Sequence, residues 1–350
     1  MKVDFDEEQR LLADKVERLF EQGYDVETRR RALTDAAFQL PSLWQTLATQ
    51  GIVGINVPAS LGGSATSIHG AALSTHIVMR AIGRHLAPEP FLSSAVVGTS
   101  LVLETAEESL QKLMLPAMLA GRVRLTLAAL EADAPDNIRH VATRASRTEH
   151  AWLLEGRKTG IIDAPHANWM IVSARTSGET GDEHGISLFL VTRTARGVEM
   201  KTTRGPDGGE VATATLRGVQ VATNDLIGTQ DQGYAPLERA LQRGNAALCS
   251  EAAGVMEKLM SVCDTSAKTR KLAEEVESAA LLAAAAIGNP DGAERRRAIE
   301  DARTMTGTAA RAMAHEAAQQ PRGADLAAGL AVENSTRRLN AIAATLAPAD

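Results

Sequence analysis

The longest uninterrupted helical pattern in the chain runs from Asp231 to Lys271. Small and apolar residues recur three or four positions apart along it and would share one face of a helix: Leu237, Leu241, Gly244, Leu248, Ala252, Val255, Leu259 and Val262. No proline follows Pro236, so the pattern predicts one long helix. Because small side chains lie on several of its faces, this helix is expected to pack against others in a bundle.

Helical patterns also fill the first third of the chain. Asp6 is placed to cap a helix with an apolar stripe that includes Leu12, Val16 and Phe20. Further helices are predicted over residues 25–34, 42–49, 67–86, 91–104 and 107–120. The glycine-rich stretch 51–63 interrupts them and indicates a packed loop.

The pattern changes near Arg122 from a helical period to short runs rich in Val, Ile, Leu and Thr. Seven strands are predicted, over residues 124–130, 140–145, 151–156, 168–174, 186–192, 197–203 and 210–216. Turn-forming clusters separate them, which is typical of an antiparallel barrel or sandwich. Helical patterns return after Ile227.

These patterns predict an α+β protein in three parts. An N-terminal helical domain would cover residues 1–121, and a middle antiparallel β-barrel-like domain residues 122–228. A C-terminal four-helix bundle would cover residues 229–350.

Composition narrows the class of protein. The 350 residues carry a formal net charge of -6 with dispersed Lys and Arg, which argues against a nucleic-acid-binding surface. Cys249 and Cys263 are both predicted on the long helix, too far apart for a disulfide, and indicate reduced thiols. The absence of an apolar leader or membrane-length segment predicts a cytoplasmic protein.

Several segments together, in this order, resemble the acyl-CoA dehydrogenase family. They are FDEEQRLLADKVERLF, GIVGINVPASLGG, LTLAALEADA, LEGRKTGIIDAPHANWMIVSART and LIGTQDQGYAPLERAL. The pattern ALCSEAAGVME is most similar to the smaller subunits of heteromeric members, which act on pimeloyl-CoA, steroid-acyl-CoA and related bulky or dicarboxylic esters. The resemblance implies a flavoprotein that introduces a double bond between the α and β carbons of an acyl-CoA thioester.

Such chemistry needs a carboxylate that removes the α-proton, while FAD accepts a hydride from the β-carbon. By resemblance, Glu238 stands where members with a base on this helix carry it. Glu251 is the other carboxylate considered, but thirteen residues of helix turn it well away from Glu238. Glu238 is therefore the predicted base, and the alternative is a solvated or salt-bridged glutamate beside Arg239 and Arg243.

The positions that meet the cofactor in the family depart from its pattern here. The family motif A-x-T-E-P places a threonine against the flavin, and the matching segment contains Leu130 and Glu131. After Lys158, Gly160 and Ile162 stand where an aromatic residue and a hydroxyl residue are usual. The resemblance thus assigns cofactor positions whose side chains have changed.

Two further cofactor positions are assigned by resemblance to the C-terminal part. Arg270 would represent the arginine of an R-Q-F-G segment that meets the FAD pyrophosphate of a neighbouring subunit, but the loop that should follow Lys271 is missing. Gly323 alone survives from an H-G-G-x-G turn.

Two functions follow. The chain is either one subunit of a homo- or hetero-tetramer that oxidises acyl-CoA with FAD, or a catalytically inactive partner subunit that no longer binds FAD.

Overall fold

A computed structural model of the protein describes residues 5–25, 28, 31, 42–205, 207, 209–319 and 326–346. The N-terminal helices are α1 (Glu7–Gly23), α2 (Trp44–Thr49), α3 (Ile68–His85), α4 (Thr99–Thr105) and α5 (Glu108–Leu119). A π-helical segment, Phe91–Gly98, leads directly into α4. Most of the helix predicted over residues 25–34 lies outside the described residues.

The predicted cap of α1 is confirmed. The Asp6 carboxylate accepts a hydrogen bond from the Gln9 backbone N–H, and the Gln9 side chain accepts one from the Asp6 backbone N–H. This reciprocal pair satisfies two of the N–H groups that the first turn of a helix leaves free. Val16 and Phe20 on the buried face of α1 then pack into the N-terminal core.

The middle of the chain forms a single eight-stranded sheet. Its strands are β1 (Leu125–Ala128), β2 (Arg144–Arg147), β3 (Ala151–Ile162), β4 (Trp169–Arg175), β5 (Ile186–Thr192), β6 (Val198–Arg204), β7 (Glu210–Ala222) and β8 (Leu226–Ile227). The order is β6–β7–β3–β2–β4–β5–β8, with β1 also paired to β4.

The predicted antiparallel pairing is correct for most of the sheet but not for all of it. The β3–β7, β4–β5 and β6–β7 pairs are antiparallel, whereas β1 and β2 both pair with β4 in parallel. Parallel neighbours need a long connection between them. Here residues 129–168, which contain β2 and β3, connect β1 to β4, and residues 148–168, which contain β3, connect β2 to β4. Local turn signals did not reveal these pairings.

The prediction of one helix from Asp231 to Lys271 is wrong at its C-terminal end. The helix α6 covers Tyr234–Val262, and a separate helix α7 covers Ala267–Ala286. Cys263 is extended, and the Ser266 hydroxyl accepts a hydrogen bond from the Thr269 N–H as the cap of α7. Polar residues such as Thr265 and Ser266 favour caps over helix interiors, whereas the apolar period simply continues into the next helix.

The predicted four-helix bundle is confirmed. Helices α6 and α7 are followed by α8 (Gly292–Ala318) and α9 (Leu326–Leu346). Val255, Met256, Val276, Met313 and Leu339 meet in its core, and each is no more than 1% exposed. None of the described helices is long and apolar enough to cross a membrane.

Helices α3 and α6 join the two helical parts through direct backbone contact. A Cβ atom built on Gly83 of α3 would lie 2.0 Å from the Glu251 carbonyl oxygen. One built on Gly254 of α6 would lie 1.9 Å from the Arg80 carbonyl oxygen. Only glycine permits such an approach, so this pair sets the distance between the helices.

Lys158 forms a buried ion pair inside the sheet domain. Its ammonium group lies 2.7 Å from Glu131 Oε1, 3.0 Å from Ser173 Oγ and 3.1 Å from the Ala129 carbonyl oxygen. Burial lowers the pKa of Lys158 to about 8, although Glu131 opposes that shift. Burial acts to raise the pKa of Glu131, but Lys158 and the Thr143 N–H outweigh it and hold that pKa below 4.5.

We predict that Gly254→Ala destabilises the protein by about 3 kcal/mol or more, because the new methyl group forces α3 and α6 apart. Gly329→Ala is the matched control in α9, where an added Cβ meets nothing within 4 Å. The control should be neutral or stabilising by up to about 1 kcal/mol. Urea unfolding measures both, and equal midpoints for the two variants would contradict the close contact.

We predict that Glu131→Gln lowers the free energy of unfolding by about 3–5 kcal/mol, since it leaves the Lys158 ammonium buried without a counter-charge. Combining it with Lys158→Met should recover part of that loss. Denaturant titration of the single and the combined variant at neutral pH tests this prediction. A cost below about 1 kcal/mol for the single variant would mean that the pair is not buried in solution.

The same pair predicts a pH dependence. The folded-state pKa of Glu131 lies below the ordinary value of 4.5, so its contribution is complete above pH 4.5 and is lost as the pH falls through the folded pKa. Unfolding curves recorded between neutral and acidic pH should therefore fall less steeply for Glu131→Gln than for the natural protein.

Candidate functional site

A cavity of about 260 Å³ lies where the N-terminal helices meet the bundle. The loop that contains Asn56 and residues 65–68 closes one side, and α3, the π-helical segment with α4, α6 and the C-terminal end of α7 form the others. The α3–α6 backbone contact places these elements next to each other. The site is therefore a product of packing between segments about 170 residues apart in the chain.

The cavity walls are mainly apolar. Small and branched side chains form them: Ala65, Ile68, Ala71, Ala72, Val96, Leu103, Ala246, Ala247, Ala284 and Ile287. A few polar side chains interrupt this surface, as is usual for pockets that bind a largely apolar ligand. No Asp or Glu is among the described residues that line the cavity.

His76 and Ser250 form one polar region of the cavity. His76 Nδ1 lies 2.9 Å from Ser250 Oγ, and His76 Nε2 lies 3.5 Å from Glu277 Oε1. Burial acts to raise the pKa of Glu277, but His76 and Arg80 outweigh it and lower that pKa. Ser250 also donates to the Ala246 carbonyl oxygen at 3.0 Å, so its hydroxyl proton is used within α6 and the group is poorly suited to act as a nucleophile.

Arg243 forms the second polar region, two turns earlier on α6. Its Nη1 donates to Ser100 Oγ at 2.9 Å, and its closest carboxylate, Glu104, is 4.0 Å away. Burial lowers the pKa of the Arg243 guanidinium, Glu104 raises it, and the like charges of Arg295 and Arg239 lower it further. This part of the cavity is therefore electropositive.

The predicted base Glu238 does not line the cavity. Its carboxylate faces α8, where Arg296 Nη1 lies 3.1 Å and 3.2 Å from its two oxygens. Glu238 thus forms an ion pair, but with Arg296 rather than with Arg239 or Arg243. Its catalytic role stays a prediction.

Glu251 takes part in a different ion pair, at the junction of the sheet with the bundle. Arg338 of α9 donates to Glu251 and to Asp207 in the β6–β7 turn, each at 2.6 Å. Asp163 follows β3 beside this cluster and accepts a hydrogen bond from Ser93 at 2.6 Å. Burial raises the pKa of Asp163, while Ser93 and the nearby Arg338 oppose that effect.

The structure brings together four of the predicted cofactor positions. The Leu130 carbonyl oxygen accepts from the Thr159 N–H at 2.8 Å, and a Cβ on Gly160 would lie 3.7 Å from the Leu130 side chain. Ile162 ends β3 with an exposed side chain, and Glu131 is bound to Lys158. Leu130 and Gly160 are thus in contact, and the role of these positions in cofactor binding stays a prediction.

The other two predicted cofactor positions do not join them in the structure. Arg270 lies in the first turn of α7, where its Nε donates to Thr265 Oγ1 at 3.1 Å on the surface. Gly323 lies outside the described residues.

These residues do not fit a flavin ring held by this chain alone. Leu130, Gly160 and Ile162 carry no side-chain hydrogen-bond donor, and the Glu131 carboxylate is already bound by Lys158 and two backbone N–H groups. The Arg338 ion pairs occupy the junction beside Asp163.

Sequence reasoning missed the polar residues of the cavity. His76 and Ser250 are 174 positions apart, and although Ser250 belongs to the ALCSEAAGVME pattern, nothing local pairs it with His76. Arg243 offered one usable signal, because it is a charged residue next to Gly244 in the apolar stripe of α6. No group of three or more potential metal ligands occurs in the part of the chain that the structure describes.

Family models match most of the first two-thirds of the chain. Residues 6–122 match the N-terminal domain of acyl-CoA dehydrogenase, and residues 126–219 match its middle domain. A curated relative, the 3-(aryl)acrylate reductase of Clostridium sporogenes, is 28% identical over 230 residues. The match covers 64% of this chain and 60% of that relative's length, so the chain spans less than two-thirds of it.

Solved structures extend the similarity to the whole fold. A glutaryl-coenzyme A dehydrogenase in complex with glutaryl-CoA superposes with a TM-score of 0.79 at 18% identity, covering 99% of this chain and 92% of that one. The ChsE4-ChsE5 complex from Mycobacterium tuberculosis gives a TM-score of 0.79 at 20% identity, covering 98% and 95%. With both family models and the three-part architecture in agreement, the chain belongs to the acyl-CoA dehydrogenase family.

Proposed function

We propose that this chain is one subunit of a hetero-oligomeric acyl-CoA dehydrogenase, in which it holds the acyl group of the substrate and a partner subunit supplies most contacts to FAD. The observation that carries the proposal is the apolar cavity between α3, α6 and α7. Its walls suit an acyl chain, and its sparse polar groups suit orientation of a ligand rather than solvation.

The size of the cavity limits what it can hold. At about 260 Å³ it falls below the range of roughly 300–1,000 Å³ that is usual for pockets enclosing a whole drug-sized ligand. A complete CoA thioester is larger still. The cavity is therefore matched to the acyl part, and the nucleotide part would lie outside it.

The need for a partner follows from the cofactor positions. Because Leu130, Gly160 and Ile162 offer no side-chain donors, this chain lacks the polar contacts with which a protein positions and tunes a flavin. The structural similarity to a complex of two different acyl-CoA dehydrogenase chains supports a paired arrangement. The flavin, when bound in the assembly, would supply the redox chemistry.

A second function, that of a catalytically inactive partner subunit, is favoured by a separate observation. No carboxylate lines the cavity within the described part of the chain, and Glu238 is held by Arg296 outside it. In this version the chain keeps the fold for assembly, and the partner performs the whole reaction.

Flavin content tests whether FAD is held by this chain alone or only in the assembly. We predict that the chain purified alone is colourless and that the chain co-purified with the product of a neighbouring gene is yellow, with FAD measured per subunit by absorbance. FAD bound by the isolated chain would contradict the misfit at Leu130, Gly160 and Ile162. Colourless preparations in both cases would rule out the dehydrogenase proposal.

Glu238→Gln tests the remaining candidate for the base. Since Glu238 faces Arg296 and not the cavity, we expect the turnover of the assembly to be nearly unchanged. A general base contributes about 10²–10⁴-fold, so a loss of that size would establish the role that the resemblance assigned to Glu238. The control is Glu300→Gln, which removes an exposed carboxylate from α8, the helix that carries Arg296.

A further inference from the structure

The guanidinium of Arg243 lines the cavity with few partners of its own. Its side chain is 28% exposed, and its hydrogen bond among the described residues goes to Ser100 Oγ, at 2.9 Å. A guanidinium has five N–H groups in a planar fork, so this contact leaves donors for a ligand. A charged side chain in a largely apolar cavity normally requires a counter-ion.

The nearby carboxylate does not neutralise this charge. Glu104 is 4.0 Å from Arg243, and it accepts two hydrogen bonds from Arg239. Arg295 adds a third cation to the group, and its described hydrogen bonds go to the neutral Gln242 side chain and the Asn289 carbonyl oxygen. Arg239 and Arg243 therefore share the Glu104 carboxylate, while Arg295 interacts with the charge of Asp291.

The rest of the cavity provides no compensating charge. No Asp or Glu is among the residues that the structure describes as lining it, and seven residues further along α6 the polar region at Ser250 contains His76, whose Nε2 lies 3.5 Å from Glu277 Oε1. The two polar regions are about 10 Å apart along the helix at 1.5 Å per residue. Between them lie Ala246 and Ala247, which would contact methylene groups.

We infer that Arg243 forms a subsite for a carboxylate group carried by the acyl chain of the substrate. This inference rests on the proposed function, because it assumes that the cavity holds an acyl group. A carboxylate matches the guanidinium fork in two parallel charge-assisted hydrogen bonds, and it replaces the missing counter-ion. The favoured substrate is thus a thioester of a short dicarboxylic acid.

An anion at Arg243 could come from another part of the same ligand, because CoA itself carries phosphate groups. The two sources predict different behaviour of free CoA. A subsite for the acyl carboxylate should leave the affinity for free CoA unaffected by changes at Arg243, whereas a phosphate site should not.

The test compares glutaryl-CoA, pentanoyl-CoA and free CoA as ligands of the full chain in its co-purified assembly. The two esters have the same five-carbon chain and differ in one terminal group, carboxylate or methyl. Isothermal titration calorimetry should show glutaryl-CoA binding at least about tenfold more tightly than pentanoyl-CoA, as expected for hydrogen bonds to a charged group.

Substitutions made only in this chain of the assembly test whether the preference for glutaryl-CoA depends on Arg243, since the partner's sites stay unchanged. Arg243→Met should abolish it by weakening glutaryl-CoA about tenfold while pentanoyl-CoA and CoA bind as before. Arg243→Lys keeps the charge without the planar fork and should give an intermediate preference. Arg217→Met removes an equal charge from the surface of the sheet domain and should change nothing.

Each other outcome has a distinct meaning. Equal affinity of the natural protein for both esters would contradict the carboxylate subsite but not the proposal that the cavity binds an acyl group. Equal weakening of all three ligands by Arg243→Met would overturn it in favour of a phosphate contact. If none of the three ligands binds the natural assembly, the proposed function itself fails, and the subsite fails with it.

Discussion

The backbone contact between α3 and α6 is the constraint on which the rest of this structure depends. Gly83 and Gly254 let two long helices approach until an added Cβ atom would overlap a carbonyl oxygen of the neighbouring helix. Because one helix belongs to the N-terminal part and the other to the bundle, this contact determines how the two helical parts sit against each other. The cavity is the space left beside it.

Two kinds of charged group occur in the structure: closely matched ion pairs, and an arginine at the cavity whose nearest carboxylate is more distant. Within the sheet domain and at its junction with the bundle, ion pairs such as Lys158–Glu131 and Arg338–Glu251 are closely matched at 2.6–2.7 Å. At the cavity, Arg243 shares its nearest carboxylate, Glu104 at 4.0 Å, with Arg239. Closely matched pairs contribute to the fold, whereas a guanidinium with a shared and more distant carboxylate keeps hydrogen-bond donors available.

The architecture of the family persists here while the cofactor positions have changed. The sheet still brings Leu130, Gly160 and Ile162 together, although none of their side chains can hydrogen-bond to a flavin. Apolar packing and strand pairing alone support that arrangement, so it does not require a bound cofactor.

The sequence by itself determined the order of helical, β and helical parts, the cap at Asp6 and most of the longer strands, because each depends on a local period or a local hydrogen bond. The strand predicted over residues 140–145 is an exception, since β2 begins only at Arg144. It did not reveal the break at Cys263, where capping residues end a helix although the apolar period continues. Parallel pairing of β1 and β2 with β4, the Arg296 partner of Glu238 and the cavity residues His76, Arg243 and Ser250 emerged only in the tertiary structure. These features join residues far apart in the chain, and no local pattern encodes which distant surfaces will meet.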